Sequence, residues 1–129
     1  MIVGNKIIYI EAKKEKDEPP SGFKVDMKIE DVKFENGELI VKYSYTANYE
    51  GDVGSIKIVG IARAREENGE KIAEEWKKTG KLPENLGERF ANFINLSGST
   101  NGTLIAKVLN MMPPLIPPRL RISKGGKAA

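Results

Sequence analysis

Asn36-Gly37 stands between two runs that alternate apolar and polar residues, and this arrangement constrains the fold more than any other feature of the chain. Both residues tolerate positive φ, so the pair suits a two-residue turn between antiparallel strands. After it, Leu39, Val41, Tyr43, Tyr45, Ala47 and Tyr49 fall on one strand face. Glu38, Lys42, Ser44, Thr46 and Asn48 fall on the other, with Ile40 as the exception. Before it, Phe23, Val25, Met27 and Ile29 alternate with Lys24, Asp26 and Lys28, and then the phase slips to Val32 and Phe34. One extra residue reverses the faces of a strand, so the slip predicts a bulge near Glu30-Asp31.

Two more strands flank this hairpin. Residues 6–13, KIIYIEAK, are rich in β-branched and aromatic types, and the charged run KKEKDEPPS closes them with a loop. EGDVG, residues 50–54, is a turn, and SIKIVGIARAR, residues 55–65, is the fourth strand. Gly60 in its middle predicts a bend or a close backbone approach. With short links after the first strand, an antiparallel meander is the economical arrangement, and its apolar face needs a cover.

The second half supplies helices for that cover. In GEKIAEEWKK, residues 69–78, Ile72, Ala73 and Trp76 form one stripe, with Trp76 as the anchor to the body. Gly80 ends this helix, and Leu82-Pro83 restarts the chain with proline at a helix N-terminus. Leu86, Phe90, Phe93, Ile94, Ser97, Asn101, Leu104, Ile105 and Val108 then keep a single helical phase. That phase runs through LSGSTNGT, where Gly98 and Gly102 each cost about 1 kcal/mol relative to alanine. Two helices with a turn at 97–103, or one long helix broken or kinked there, both fit over 84–109. The retained phase favours the second. Small residues on that face admit another backbone closely, such as a partner subunit's helix. The following NMMPPLIPPRL, residues 110–120, excludes a helix and favours an extended, polyproline-like path. It predicts that Met111, Met112, Leu115, Ile116 and Leu120 run back over the body as a strap, or else wall a groove. The expected architecture is α+β: a four-stranded antiparallel sheet followed by helices packed on it. It forms one domain over 1–122, with a flexible basic tail at 123–129.

The residue inventory narrows the chemistry. The chain has 129 residues, with no cysteine and no histidine. Disulfides, thiolate nucleophiles, zinc–thiolate sites and the usual general base are thereby removed. The pairs Asp17-Glu18, Glu66-Glu67 and Glu74-Glu75 sit in charged runs that read as solvated, whereas a general acid needs burial to raise its pKa. Gly98 to Thr103, GSTNGT, lacks the Gly-Lys-Ser/Thr ending of a phosphate loop. No catalytic residues, cofactor or metal are expected. No run approaches the roughly 18 apolar residues of a membrane span, and the start shows no cleavable leader pattern. The reading is cytosolic. From Arg89 onward there are six basic residues and no acid, which leaves 15 basic against 18 acidic residues before it. This asymmetry suggests self-association or a charged partner. Abundant lysine and glutamate without glutamine are compatible with a thermophilic source.

The order of elements resembles the SecB-type protein-export chaperones. The matching pieces are KIIYIEAK, the FKVDMKIEDVKF–NG–ELIVKYSYTANY hairpin, SIKIVGIARAR with its central Gly60, LPENLGERFANFINL, and MMPPLIPPRL. The leucine-proline before the long helix and the proline-rich apolar exit look like the archaeal SecB-like branch. The chain departs from the bacterial export chaperone in its shorter length, its charge balance and its lack of a long acidic C-terminal stretch, so docking to a translocation motor is not implied. The resemblance implies a non-catalytic protein that assembles as a dimer or tetramer and holds unfolded polypeptide clients in apolar grooves. The expected groove lies between sheet edge and long helix, lined by Tyr43, Tyr45, Phe90, Phe93, Ile94, Leu104, Met111, Met112, Leu115 and Ile116. Two alternatives stand beside it. One is a structural or oligomeric adaptor. The other is a nucleic-acid-binding module, in which the basic rear half neutralises phosphates and the strand tyrosines stack bases.

Overall fold

The Asn36-Gly37 pair forms the turn that its residues favour, with φ of 52° and 76°. It joins β2 (Phe23–Glu35) to β3 (Glu38–Tyr49) as an antiparallel pair. The computed structural model describes residues 1–115. Its other elements are β1 (Ile2–Lys14), β4 (Gly54–Ala64), α1 (Gly69–Thr79) and α2 (Glu84–Val108). The expected bulge is present: the β2–β3 register shifts between Ile29 and Asp31, which returns Val32 to the apolar face. Gly51 and Asp52, both at positive φ, turn the chain from β3 into β4.

All strand pairs are antiparallel, in the order β1-β4-β3-β2. The meander therefore comprises β2, β3 and β4, while β1 lies beside β4 at the far side of the sheet. The intervening link, residues 15–22, makes this possible. Crossing three strand spacings requires about 14 Å, and eight extended residues reach about 26 Å. Both β1 and β2 are edge strands.

The helices cover one face of the sheet. That face carries Val32, Leu39, Val41, Tyr43, Tyr45, Ile56 and Ile58, all fully buried, against Phe90 and Ile94 of α2 and Ala73 of α1. Gly80 caps α1 in the left-handed conformation at φ 70°, and Pro83 is the N-cap of α2.

α2 is one unbroken helix of 25 residues, and both of its central glycines are buried. A Cβ on Gly98 would stand 2.6 Å from Cε2 of Tyr45 and nearer still to two other ring atoms; one on Gly102 would stand 2.8 Å from Cγ of Pro114. The small residues thus admit an aromatic ring and the strap of the same chain, not a partner's helix. The apolar stripe also differs from expectation at its end. The buried row is Leu86, Phe90, Ile94, Gly98, Gly102 and Ala106, whereas Leu104 and Val108 are 63% and 84% exposed. A row at four-residue spacing drifts about 40° per step around the axis, so a helix crossing the sheet obliquely turns Leu104 and Val108 outward. The expectations for Ile116, Leu120 and the tail at 123–129 lie outside the described residues.

Candidate functional site

The helical cover has a gap over β2. Met27 belongs to the helix-facing side of its strand yet is 39% exposed. Around it lies a groove of about 540 Å³, lined by Met27, Lys28 and Ile29 of β2, Trp76 and Gly80 at the end of α1, Lys81 and Leu82 of the link, and Gly87, Ala91 and Ile94 of α2. Its origin is local. The left-handed cap at Gly80 and the extended Leu82-Pro83 turn the chain away between the helices, and Gly87 and Ala91 present almost no side chain where α2 passes. One wall is the sheet edge, whose outward backbone groups have no neighbouring strand among the described residues. The lining is apolar except for Lys28 and Lys81, both cationic.

The residues expected to line a groove are distributed differently. Ile94 lines it. Tyr43, Tyr45 and Phe90 are fully buried beneath the helices. Phe93 is half-buried, with its ring perpendicular to that of Tyr43 at 6.3 Å between centroids. Leu104 faces outward. Met111 and Met112 line a separate cavity of about 310 Å³ with Pro19, Pro20, Val53 and Asn110. Leu115 is exposed, and Ile116 lies beyond the described residues. Met27, Trp76, Leu82, Gly87 and Ala91 were missed. The available signals were Met27 on an otherwise buried face and Trp76, the only tryptophan, close to a helix-ending glycine.

Residues 111–115 lie against the body, but Met112 and Leu115, expected to pack there, are exposed, and Pro114 is the residue that packs. Pro114 is fully buried, the Tyr45 hydroxyl donates to its carbonyl at 3.2 Å, and the Tyr49 hydroxyl donates to the Met112 carbonyl. Burial pushes the Tyr45 phenol up to about 12, with the neighbouring Tyr49 adding to the rise. Burial also raises the pKa of Tyr49. A second polar cluster ties β1, β3 and α2 together. The Tyr43 hydroxyl donates to Asn5 Oδ1 at 2.7 Å, Asn5 Nδ2 donates to Ser97 Oγ at 3.2 Å, and Asn101 Nδ2 donates to the Ser97 carbonyl at 2.8 Å.

The carboxylate pairs lie at the surface or in ion pairs; Glu66, for one, accepts from Arg89 at 2.6 Å. Among the described residues no group of three acidic side chains is placed to hold a metal ion, and no helix is long and apolar enough to cross a membrane.

Comparison with known proteins bears on this geometry. No protein-family profile matches the chain, and no curated protein matches it significantly. Among solved structures it is similar to the Mycobacterium tuberculosis Rv1957 SecB-like chaperone, determined in complex with a ChAD peptide from the Rv1956 HigA1 antitoxin. The TM-score is 0.62 at 19% identity, over 93% of this chain and 90% of that one. The fold is SecB-like. The archaeal branch gains no support, since this relative is bacterial. The structure places the β2 edge and the gap in the helical cover side by side.

Proposed function

We propose that this chain is a non-catalytic, SecB-like chaperone or peptide-binding protein that holds apolar polypeptide segments in the groove beside β2. The observation that carries the reading is the exposure of Met27, beside a half-buried Trp76, in an apolar groove along a strand edge that no other described strand pairs with. An extended segment can donate and accept backbone hydrogen bonds along β2 while alternate side chains enter the groove. Such binding tolerates varied sequences, because the backbone supplies affinity and the groove requires only apolar character. Lys28 and Lys81 favour clients whose apolar stretch is flanked by carboxylates. The antitoxin peptide bound by the mycobacterial SecB-like chaperone supports polypeptide as the client class.

Trp76 provides the test, since it is the only tryptophan and lines the groove. Titration with an unfolded apolar polypeptide should shift its emission to the blue, and the protein should suppress that polypeptide's aggregation. Met27→Glu should weaken binding at least tenfold without unfolding the chain. If neither the emission nor the aggregation changes, the reading fails.

Self-association belongs to the same proposal. Ile8, Tyr9 and Ile10 are exposed on β1, and Leu96, Leu104 and Val108 on the outward side of α2. Apolar surface on this scale favours a homo-oligomer. A solution mass equal to one chain would refute it.

A further inference from the structure

The strap is held in the manner of a bound ligand. Among backbone–backbone bonds, the Met111 N–H donates to the Ala106 carbonyl at the helix end, and the Leu115 N–H donates to the Pro113 carbonyl within the strap itself. The anchors of 112–115 to the body are side-chain hydroxyls: Tyr49 on the Met112 carbonyl and Tyr45 on the Pro114 carbonyl. Over 112–115 only Pro114 is fully buried, whereas Met112, Pro113 and Leu115 are exposed. The ring rests where Gly102 lacks a side chain: a Cβ there would stand 2.8 Å from its Cγ, and the ring of Tyr45 forms the adjoining wall. The seat belongs to β3 and α2, whose Tyr45, Phe90 and Ile94 are part of the core.

We propose that Tyr45, Tyr49 and Gly102 form a binding seat for an extended, proline-bearing polypeptide, and that residues 111–115 occupy it as an internal ligand which a segment of the same chemistry from another polypeptide displaces. Hydroxyl donors spaced along an aromatic surface and a notch that fits a pyrrolidine ring are what such a segment requires. It has few N–H groups to leave unpaired, its carbonyls accept, and its extended form is already ordered. The cavity lined by Pro19, Pro20, Val53, Met111 and Met112, with Lys14, Asp17 and Glu18 beside them, lies at the Met112 end and gives a longer ligand further surface of mixed character. This site shares no lining residue with the groove beside β2, so it adds a second specificity to the proposed polypeptide binding.

The test uses the full chain and a labelled Asn-Met-Met-Pro-Pro-Leu peptide. In the wild type the peptide competes with an internal strap at an effective concentration on the order of millimolar, so binding is weak. Pro114→Ser loosens the strap and leaves the seat intact, and should tighten peptide binding at least tenfold. A peptide with serine at its second proline should bind neither protein, and Tyr45→Phe with Tyr49→Phe should abolish the gain. A folded Pro114→Ser protein that binds no more tightly, or equal binding of the serine peptide, would overturn the proposal. The wild type gives an independent readout. Its Met111 and Met112 methyl resonances should move progressively as peptide displaces the strap, and constancy at millimolar peptide would also overturn it. Trp76 emission should stay unchanged throughout, which separates this outcome from that for the β2 groove.

Discussion

Gly98→Ala isolates the contact on which the long helix depends. In an exposed helix interior the substitution stabilises by about 1 kcal/mol, because alanine loses less backbone freedom on folding. At Gly98 the new methyl would stand 2.6 Å from Cε2 of Tyr45 and nearer to Cγ and Cδ2, where carbon atoms need about 3.5–4 Å. The helix or the ring must move by an ångström or more. The ring cannot swing aside easily, since Tyr45 is fully buried and its hydroxyl is bonded to the Pro114 carbonyl. Overpacking of this kind costs about 1–3 kcal/mol, and the immobile ring places Gly98 at the upper end. The net loss should be about 2 kcal/mol. Gly87 is the internal control: it lies on the same helix, and a Cβ there meets nothing within 4 Å. Gly87→Ala should therefore gain about 0.5–1 kcal/mol, which puts the two variants about 3 kcal/mol apart with opposite signs. Urea unfolding at one protein concentration would measure this, with concentration fixed because the proposed self-association would add to apparent stability. A Gly98→Ala protein as stable as the wild type would refute the claim that the glycine is there to admit Tyr45.

Raising the pH should loosen the strap before the rest of the fold. With the Tyr45 phenol at about 12 in the folded protein and near 10 when unfolded, both states hold the proton below pH 10 and the full stability is present. Between pH 10 and 12 the unfolded state releases it first, so stability falls by at most about 1.4 kcal/mol per pH unit. Tyr45→Phe should flatten that slope in denaturation midpoints measured across the window; an unchanged slope would refute the assignment. Tyr43→Phe removes the donor to Asn5 Oδ1 that joins β3 to β1, and should cost about 1 kcal/mol by urea unfolding. A neutral result would show that the Tyr43–Asn5–Ser97 cluster contributes nothing to stability.

Elements set by local chemistry were legible in the sequence. Asn36-Gly37, the bulge after Ile29, the Gly80 cap and the start at Pro83 each depend on one or two residues whose backbone preferences are strong, and each is observed. Gly60 was legible as a close approach: a Cβ there would stand 2.9 Å from Cε1 of Tyr43 and nearer to the end of the ring. The position of β1 was not legible, because a flexible link of residues 15–22 reaches either edge of the sheet and periodicity carries no information about which. The turning outward of Leu104 and Val108 was not legible either. A helical phase records which residues are apolar, whereas burial depends on the angle at which the helix crosses the sheet.

The groove escaped the sequence for a related reason. Tyr43, Tyr45 and Phe90 were large aromatic residues on apolar faces, which made them candidates both for a binding surface and for the core. Position decides between these in favour of the core: a modest sheet under two helices needs large rings to fill the space above its middle strands, and β3 supplies Tyr43 and Tyr45 while α2 supplies Phe90. What remains for the proposed client is the place where filling stops. There the strand is at an edge, α1 ends, and α2 presents Gly87 and Ala91 instead of large side chains. An open site in this fold is thus marked by small residues opposite an isolated apolar one, and Met27 facing Gly87 and Ala91 across the groove is that combination. The strap obeys the same logic from the other direction: Gly102 leaves a notch, and the chain's own Pro114 fills it. Of the three vacancies left by small residues on α2, Tyr45 fills the one at Gly98, the strap closes the one at Gly102, and among the described residues the one at Gly87 and Ala91 remains open along β2.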